Sequence, residues 1–196
     1  MATLLKIAVA ATLAISLIPG SAFAFGLGSV TRLPRPDLNA LYLKEGRRVA
    51  APFAHVAFCV HQPADCSASA GPDIINLTSD KRRELVSVNS EINHDIIPVN
   101  DTGNDTWSLA PREGDCEDYA ITKRHALIAR GWPESSLRLA VAHTAWGEGH
   151  LVLVVRTNKG DLVLDNLTGA VRNWRKTGLR WDMIQASNDP RIWHKL

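Results

Sequence analysis

The chain has 196 residues, 45% of them hydrophobic and 21% charged, an ordinary globular composition sufficient for one core. Lys and Arg number 22 against 20 Asp and Glu, a formal net charge of +2. So even a balance excludes the basic footprint of a nucleic-acid-binding protein.

The first 24 residues stand apart. Lys6 gives a short positive region, Ile7 to Ile18 are apolar except for Thr12 and Ser16, and Ala22-Phe23-Ala24 fits a small-x-small cleavage site. This pattern predicts a secretory leader over residues 1–24 and one domain over 25–196. The apolar run is short for a membrane span of roughly 20 residues, and no other stretch offers one. Cleavage would remove one cation, leaving 21 against 20 anions. The expected location is the periplasm or the exterior, with no stable membrane span after the leader is removed.

Three cysteines remain: Cys59, Cys66 and Cys116. Accessible cysteines of exported proteins tend to pair, and an odd one left over is a candidate reactive thiol. Cys59 and Cys66 flank Pro63 closely and are the natural disulfide, which leaves Cys116 free. Three reduced core cysteines are the alternative.

In chain order, residues 25–50 read as an extended arm or loops. Pro52 to Cys59 read as a short apolar strand or buried segment, and His61 to Pro72 as a loop. Thr78 or Ser79 caps a helix whose Leu85, Val88, Ile92 and Ile96 recur at helical spacing. Pro98 ends it, and residues 100–113 form a loop holding Trp107, which either walls a groove or packs. A second helix runs from Cys116 to Arg130, stopped by Gly131 and Pro133. Leu137 to His143 alternate as a strand does. His150 to Thr157 and Asp161 to Asp165 form a hairpin around Asn158-Lys159-Gly160. The tail carries Trp174, Trp181 and Trp193 and is expected to cover a face of the sheet.

The chemistry gathers at Gly114-Asp115-Cys116-Glu117-Asp118-Tyr119. A cysteine opening a helix faces unpaired amides and the positive end of the macrodipole, which favour thiolate. The neighbouring Asp115, Glu117 and Asp118 oppose this by like-charge repulsion. They read either as ordinary helix caps facing water or as ligands for a hard cation such as calcium. His150 and Asp165 complete the order nucleophile, base, orienting acid. An even number of loop residues puts His150 and Asp165 on one face of the hairpin. A three-residue loop puts them on opposite faces. The sequence leaves both registers open. Cys59 and His61 alone make no metal site, and His55, His94, His125, His143 and His194 read as structural. Asn-x-Thr sequons, such as those at Asn76, Asn104 and Asn166, matter only in a eukaryotic secretory route.

At these residues the sequence resembles the bacterial transglutaminase-like cysteine proteinases, periplasmic proteases that release surface adhesins. The motifs are Gly114 to Tyr119 with Lys123, then Gly149-His150-Leu151-Val152-Leu153, then Leu164-Asp165-Asn166, with Asp105, Trp107 and Pro111 as the lead-in. The resemblance spans roughly residues 77–193. It implies an α+β fold with a papain-like, transglutaminase-type core, the nucleophile at a helix N-terminus packed on an antiparallel sheet. It maps nucleophile, base and orienting acid onto Cys116, His150 and Asp165, and implies calcium on Asp115 and Glu117, with Asp118 as a further ligand. It also implies a protein substrate in the cell envelope and an inner-membrane regulatory receptor. The N-terminal part, with Cys59 and Cys66, departs from the adhesin-releasing members and is similar to a less characterised branch. The expected activity is therefore a calcium-dependent Cys-His-Asp peptidase. Acyl transfer by the same triad and a non-catalytic periplasmic binding module are the alternatives.

Overall fold

The computed structural model describes residues 41–103 and 105–196. The leader expected over 1–24, the first part of the arm and Asn104 lie outside the described residues. The arm enters at Leu41, whose carbonyl accepts from the Asp161 amide at 2.9 Å and from the Trp174 indole at 3.1 Å. Leu43 is buried, and its amide donates to the wholly buried Asp161 carboxylate at 2.7 Å. Arg138, 1% exposed, donates to Glu45 at 2.7 Å. A buried charge is costly unless paired and hydrogen-bonded, so these pairs tie the arm to the sheet. The arm ends in β1 (Arg48–Val49).

The apolar segment after Pro52 is a helix, α1 (Phe53–His61), which corrects the strand reading and agrees with the alternative of a buried segment on one of its faces. Ala54, His55 and Phe58 face inward while Phe53, Val56 and Val60 are exposed, a helical spacing. A run this short fits either period, and tertiary contacts decide it. Here they come from His55, whose ring meets Trp107 and Trp193 edge-on at centroid distances of 5.3 Å each, within hydrogen-bond reach of Gln185 at 3.0 Å. Burial first, and then Arg124, depress the His55 pKa to about 4, so this histidine is neutral and structural. A one-turn 3-10 segment, Pro63–Cys66, follows within the expected loop. Cys59 and Cys66 form the disulfide, and Cys116 is the free cysteine.

Thr78 caps α2 (Ser79–Asp95) by accepting from the Lys81 amide at 3.2 Å, and Leu85, Val88 and Ile92 form its buried stripe. β2 (Ile97–Pro98) and β3 (Glu113–Gly114) pair in parallel and deliver the chain to α3 (Cys116–Ala129). That helix closes in a Schellman turn. Trp132 N donates to Leu127 O at 3.0 Å and Gly131 N to Ile128 O at 2.9 Å, with Gly131 at φ 83°, a conformation natural only to glycine.

Then come β4 (Leu137–His143), β5 (Gly149–Thr157), β6 (Gly160–Asp165), β7 (Thr168–Asn173), β8 (Arg180–Gln185) and β9 (Trp193–Lys195). They form an antiparallel sheet in the order β1-β9-β8-β4-β5-β6-β7. α2 and α3 pack on the face that carries Leu139, Leu151, Leu153, Val155, Leu162 and Leu164. The other face, with Val152, Val154 and Val163, is covered by Leu43, Trp174, Leu179 and Trp181. The tail therefore divides. Trp174 and Trp181 cover this second face, whereas Trp193 is fully buried among the helices' core residues.

The disulfide closes a loop with a sequence separation of 7. The chain-entropy account gives such a loop about 2–3 kcal/mol. The Cys59→Ser/Cys66→Ser double variant should lose about that much in urea denaturation; a loss under about 0.5 kcal/mol would show that the bridge adds no constraint.

Candidate active site

Cys116 is the first residue of α3, and the turn before it is built from carboxylates. Asp115 and Asp118 form a capping box, Asp118 accepting from the Asp115 amide at 3.3 Å. Asp118 also accepts from the Ser108 amide at 2.6 Å, which ties the Trp107 loop to the helix. The expected capping reading is thus present, and Asp118 is committed to it. Burial, together with the charge of Asp115, raises the Asp118 pKa to about 6.

The other carboxylates crowd one another. Asp115 accepts from the Asp101 amide at 3.1 Å, and Asp101 accepts from the Thr106 amide at 2.7 Å. Glu117 is raised well above its ordinary range, first by burial and then by a hydrogen bond with Asp115. Asp105 is raised by burial and by the charges of Asp115 and Asp101. Two carboxyls close enough to share a proton, with further acids around them, form an all-oxygen donor set. This is the chemistry a hard cation takes, so Asp115 and Glu117, with Asp105 and Asp101 near by, could hold calcium.

The Cys116 thiol donates to Glu117 Oε2 at 3.0 Å and accepts from the Leu151 amide at 3.4 Å. Burial raises its pKa most, and the Glu117 charge raises it further, while the Leu151 amide acts the other way. In this arrangement the sulfur is held as a thiol.

His150 opens β5 and Asp165 closes β6. The hairpin pairs Thr157 with Gly160 and Leu153 with Leu164, so its loop is the two-residue Asn158-Lys159. This is the even register. Continuing it sets Val152 against Asp165, and His150 and Asp165 share a face. Their side chains meet, Nε2 to Oδ1, at 2.8 Å, both nearly buried. The Leu167 amide also donates to Asp165, at 2.9 Å. Burial pushes the Asp165 pKa up, but His150, the Leu167 amide and the Lys123 charge outweigh it and hold the carboxyl below its ordinary range. With Nε2 engaged, Nδ1 is the ring nitrogen left for other chemistry.

Cys116 and His150 line one cleft of about 490 Å³ with Gly114, Thr144, Glu148 and Asn166. Among the described residues, the thiol's hydrogen bonds run to Glu117 and Leu151 rather than to His150.

The chain matches the bacterial transglutaminase-like cysteine proteinases over residues 45–196. It belongs to that family. It is therefore a cysteine peptidase of transglutaminase-like type, and the α+β fold with an antiparallel sheet is the family's. The calcium-bound structure of LapG from Legionella pneumophila is 25% identical, with a TM-score of 0.50 over 57% of this chain and 67% of that one. EGTA-treated LapG from the same organism is 26% identical, again with a TM-score of 0.50, over 57% and 66%. No match is found among curated protein sequences.

Two groups carry more of the site than their sequence context suggested. Trp107 is both packed and wall-forming: it is 7% exposed, yet it borders two cavities beside Glu117 and Asp105. Lys123 is 1% exposed, and its ammonium lies over the Tyr119 ring at 5.6 Å. Burial lowers its pKa to about 7 against the attraction of Asp165. The sequence signal was available for Lys123: it falls seven residues after Cys116, on the same side of a helix.

Gly114 is required by this construction. A Cβ there would run into the Asp118 carboxylate itself. Gly114→Ala should displace Asp118 from the capping box and lower stability by about 1–2 kcal/mol, the usual cost of a lost cap. Urea denaturation measures it, and an unchanged midpoint would show that the box tolerates the shift.

Proposed function

We propose that the mature chain, residues 25–196, is an exported, periplasmic thiol peptidase. In this reading residues 1–24 are its cleaved leader, and Cys116, His150 and Asp165 are nucleophile, base and orienting acid. The observation that carries the reading is the 2.8 Å His150–Asp165 contact in a cleft shared with the free cysteine at the start of α3. Asp165 engages Nε2, fixes the tautomer, and leaves Nδ1 to take the thiol proton. The Cys116 sulfur then attacks the peptide carbonyl carbon. First-turn amides of α3 can receive the developing oxyanion. His150 returns its proton to the leaving amine, and water releases the acyl group from the thioester.

The thiol has a competing partner in Glu117, and the fit of Asp115 and Glu117 to calcium bears on this. A bound cation would neutralise the local negative charge that now favours the protonated thiol. That LapG has been solved both calcium-bound and EGTA-treated supports the same reading here. A cell-envelope protein is the proposed substrate class, and an inner-membrane receptor the proposed regulator.

Comparing the exported proteome of wild-type cells with that of cells carrying Cys116→Ala tests the activity. Protein fragments should be present in the first and absent from the second. In purified protein, Cys116→Ala and His150→Ala should abolish cleavage, and Asp165→Asn should slow it at least about a hundredfold, the scale of a general acid–base contribution. Cleavage that survives Cys116→Ala would overturn the assignment.

Calcium should raise the melting temperature, and EGTA should reverse the gain. At a hundredfold excess over Kd the stabilisation is about 2.7 kcal/mol. Asp115→Ala and Glu117→Ala should remove most of it. A melting curve indifferent to both calcium and EGTA would return these residues to capping alone.

A further inference from the structure

A second cavity, of about 330 Å³, opens beside the first. It is lined by Ala50, Ala51 and Pro52, which link β1 to α1, and by Trp107, Val141, Leu151 and Met183. Asp105, Glu117, Gly149 and His150 complete its lining. Glu117, Gly149 and His150 belong also to the cleft that holds Cys116, so the two spaces adjoin.

The two differ in chemistry. The Cys116 cleft is lined by Asn100, Thr144, Glu148 and Asn166, groups suited to a peptide backbone or polar side chains. The second cavity has apolar walls that are part of the main core. Trp107 and Leu151 are buried in it, and Ala51, Val141 and Met183 pack against it. Core walls hold their shape, so this space is preformed, and a preformed apolar pocket with a few polar groups is the usual form of a specificity site. The Asp105 and Glu117 carboxylates disfavour an acidic side chain, and most of the remaining lining is apolar.

We infer that this cavity is the specificity subsite of the peptidase and takes an unbranched or branched aliphatic side chain, such as leucine or methionine, from a residue near the scissile bond. The inference rests on the peptidase reading above. It gives the link between β1 and α1 a role in recognition, since Ala50, Ala51 and Pro52 are part of the pocket's lining.

The probe is a peptide library prepared by cleaving a bacterial lysate after glutamate, which leaves Lys and Arg at internal positions. It is incubated with the full chain, and cleavage sites absent from a Cys116→Ala control are aligned on both sides of the bond. Leucine, methionine, isoleucine and valine should be enriched about tenfold or more at one position, the scale on which an apolar pocket discriminates. Ala51→Phe, which fills the cavity, should erase that enrichment while keeping a wild-type melting temperature. Met183→Ala, which widens it, should admit phenylalanine at the same position and guards against a folding defect in the first variant. Cleavage without an aliphatic preference, with a Lys or Arg preference, or with a preference that survives Ala51→Phe overturns the subsite alone. Absence of any Cys116-dependent cleavage overturns it together with the peptidase reading.

Discussion

The carboxylates at the entry to α3 are the constraint on which the site depends. Asp115, Glu117 and Asp118 fall within four residues of sequence, and Asp101 and Asp105 act on them from the preceding loop. The helix dipole stabilises a charge at its N-terminus by about 0.3–1 kcal/mol. Two unit charges near 4 Å repel by about 4 kcal/mol at the effective dielectric of a protein surface. The dipole therefore cannot absorb the crowd. Asp118 escapes by accepting two backbone amides. Asp115 and Glu117 are left to share a proton or a cation, and this choice decides whether the Cys116 sulfur is pinned as a thiol.

The second determinant is a register. Whether His150 can meet Asp165 depends on the parity of one hairpin loop, and the sequence alone permits two answers. Gly160 decides it by pairing with Thr157 as a strand residue rather than lengthening the loop. Its φ of 101° is tolerable only for glycine, and a Cβ there would meet the Leu41 carbonyl. This neighbour of Gly160 lies more than a hundred residues away, in the arm. No local reading of Asn158-Lys159-Gly160 could include it.

The same reasoning separates what was legible from what was not. α2 and α3 announced themselves through caps, period and stop signals, because each of those is a local interaction. The free thiol followed from cysteine arithmetic and the disulfide bears this out. α1 did not announce itself, because nine residues of mixed Ala, Val and Phe satisfy two periodicities. His55, wedged between Trp107 and Trp193, accounts for its helical form. Both Trp107 and the Ala50-Ala51-Pro52 wall gain meaning only from what the fold brings opposite them.

Lys123 shows how the core and the site share one electrostatic problem. An ammonium 1% exposed would be expensive in an apolar interior, and a methionine of similar length would pack there without that cost. What distinguishes the lysine is its action on Asp165. His150 and Lys123 both favour the ionised form of that carboxyl against the burial that opposes it. When Lys123 is protonated its charge adds to the forces that favour an ionised Asp165, but burial lowers its own pKa to about 7, so this support fades as pH rises through neutrality. When His150 takes a proton, Asp165 is already ionised to receive it. If Asp165 is the orienting acid proposed above, it has to remain a carboxylate through both states of its histidine, and the buried Lys123 contributes to that below its own pKa without entering the reaction.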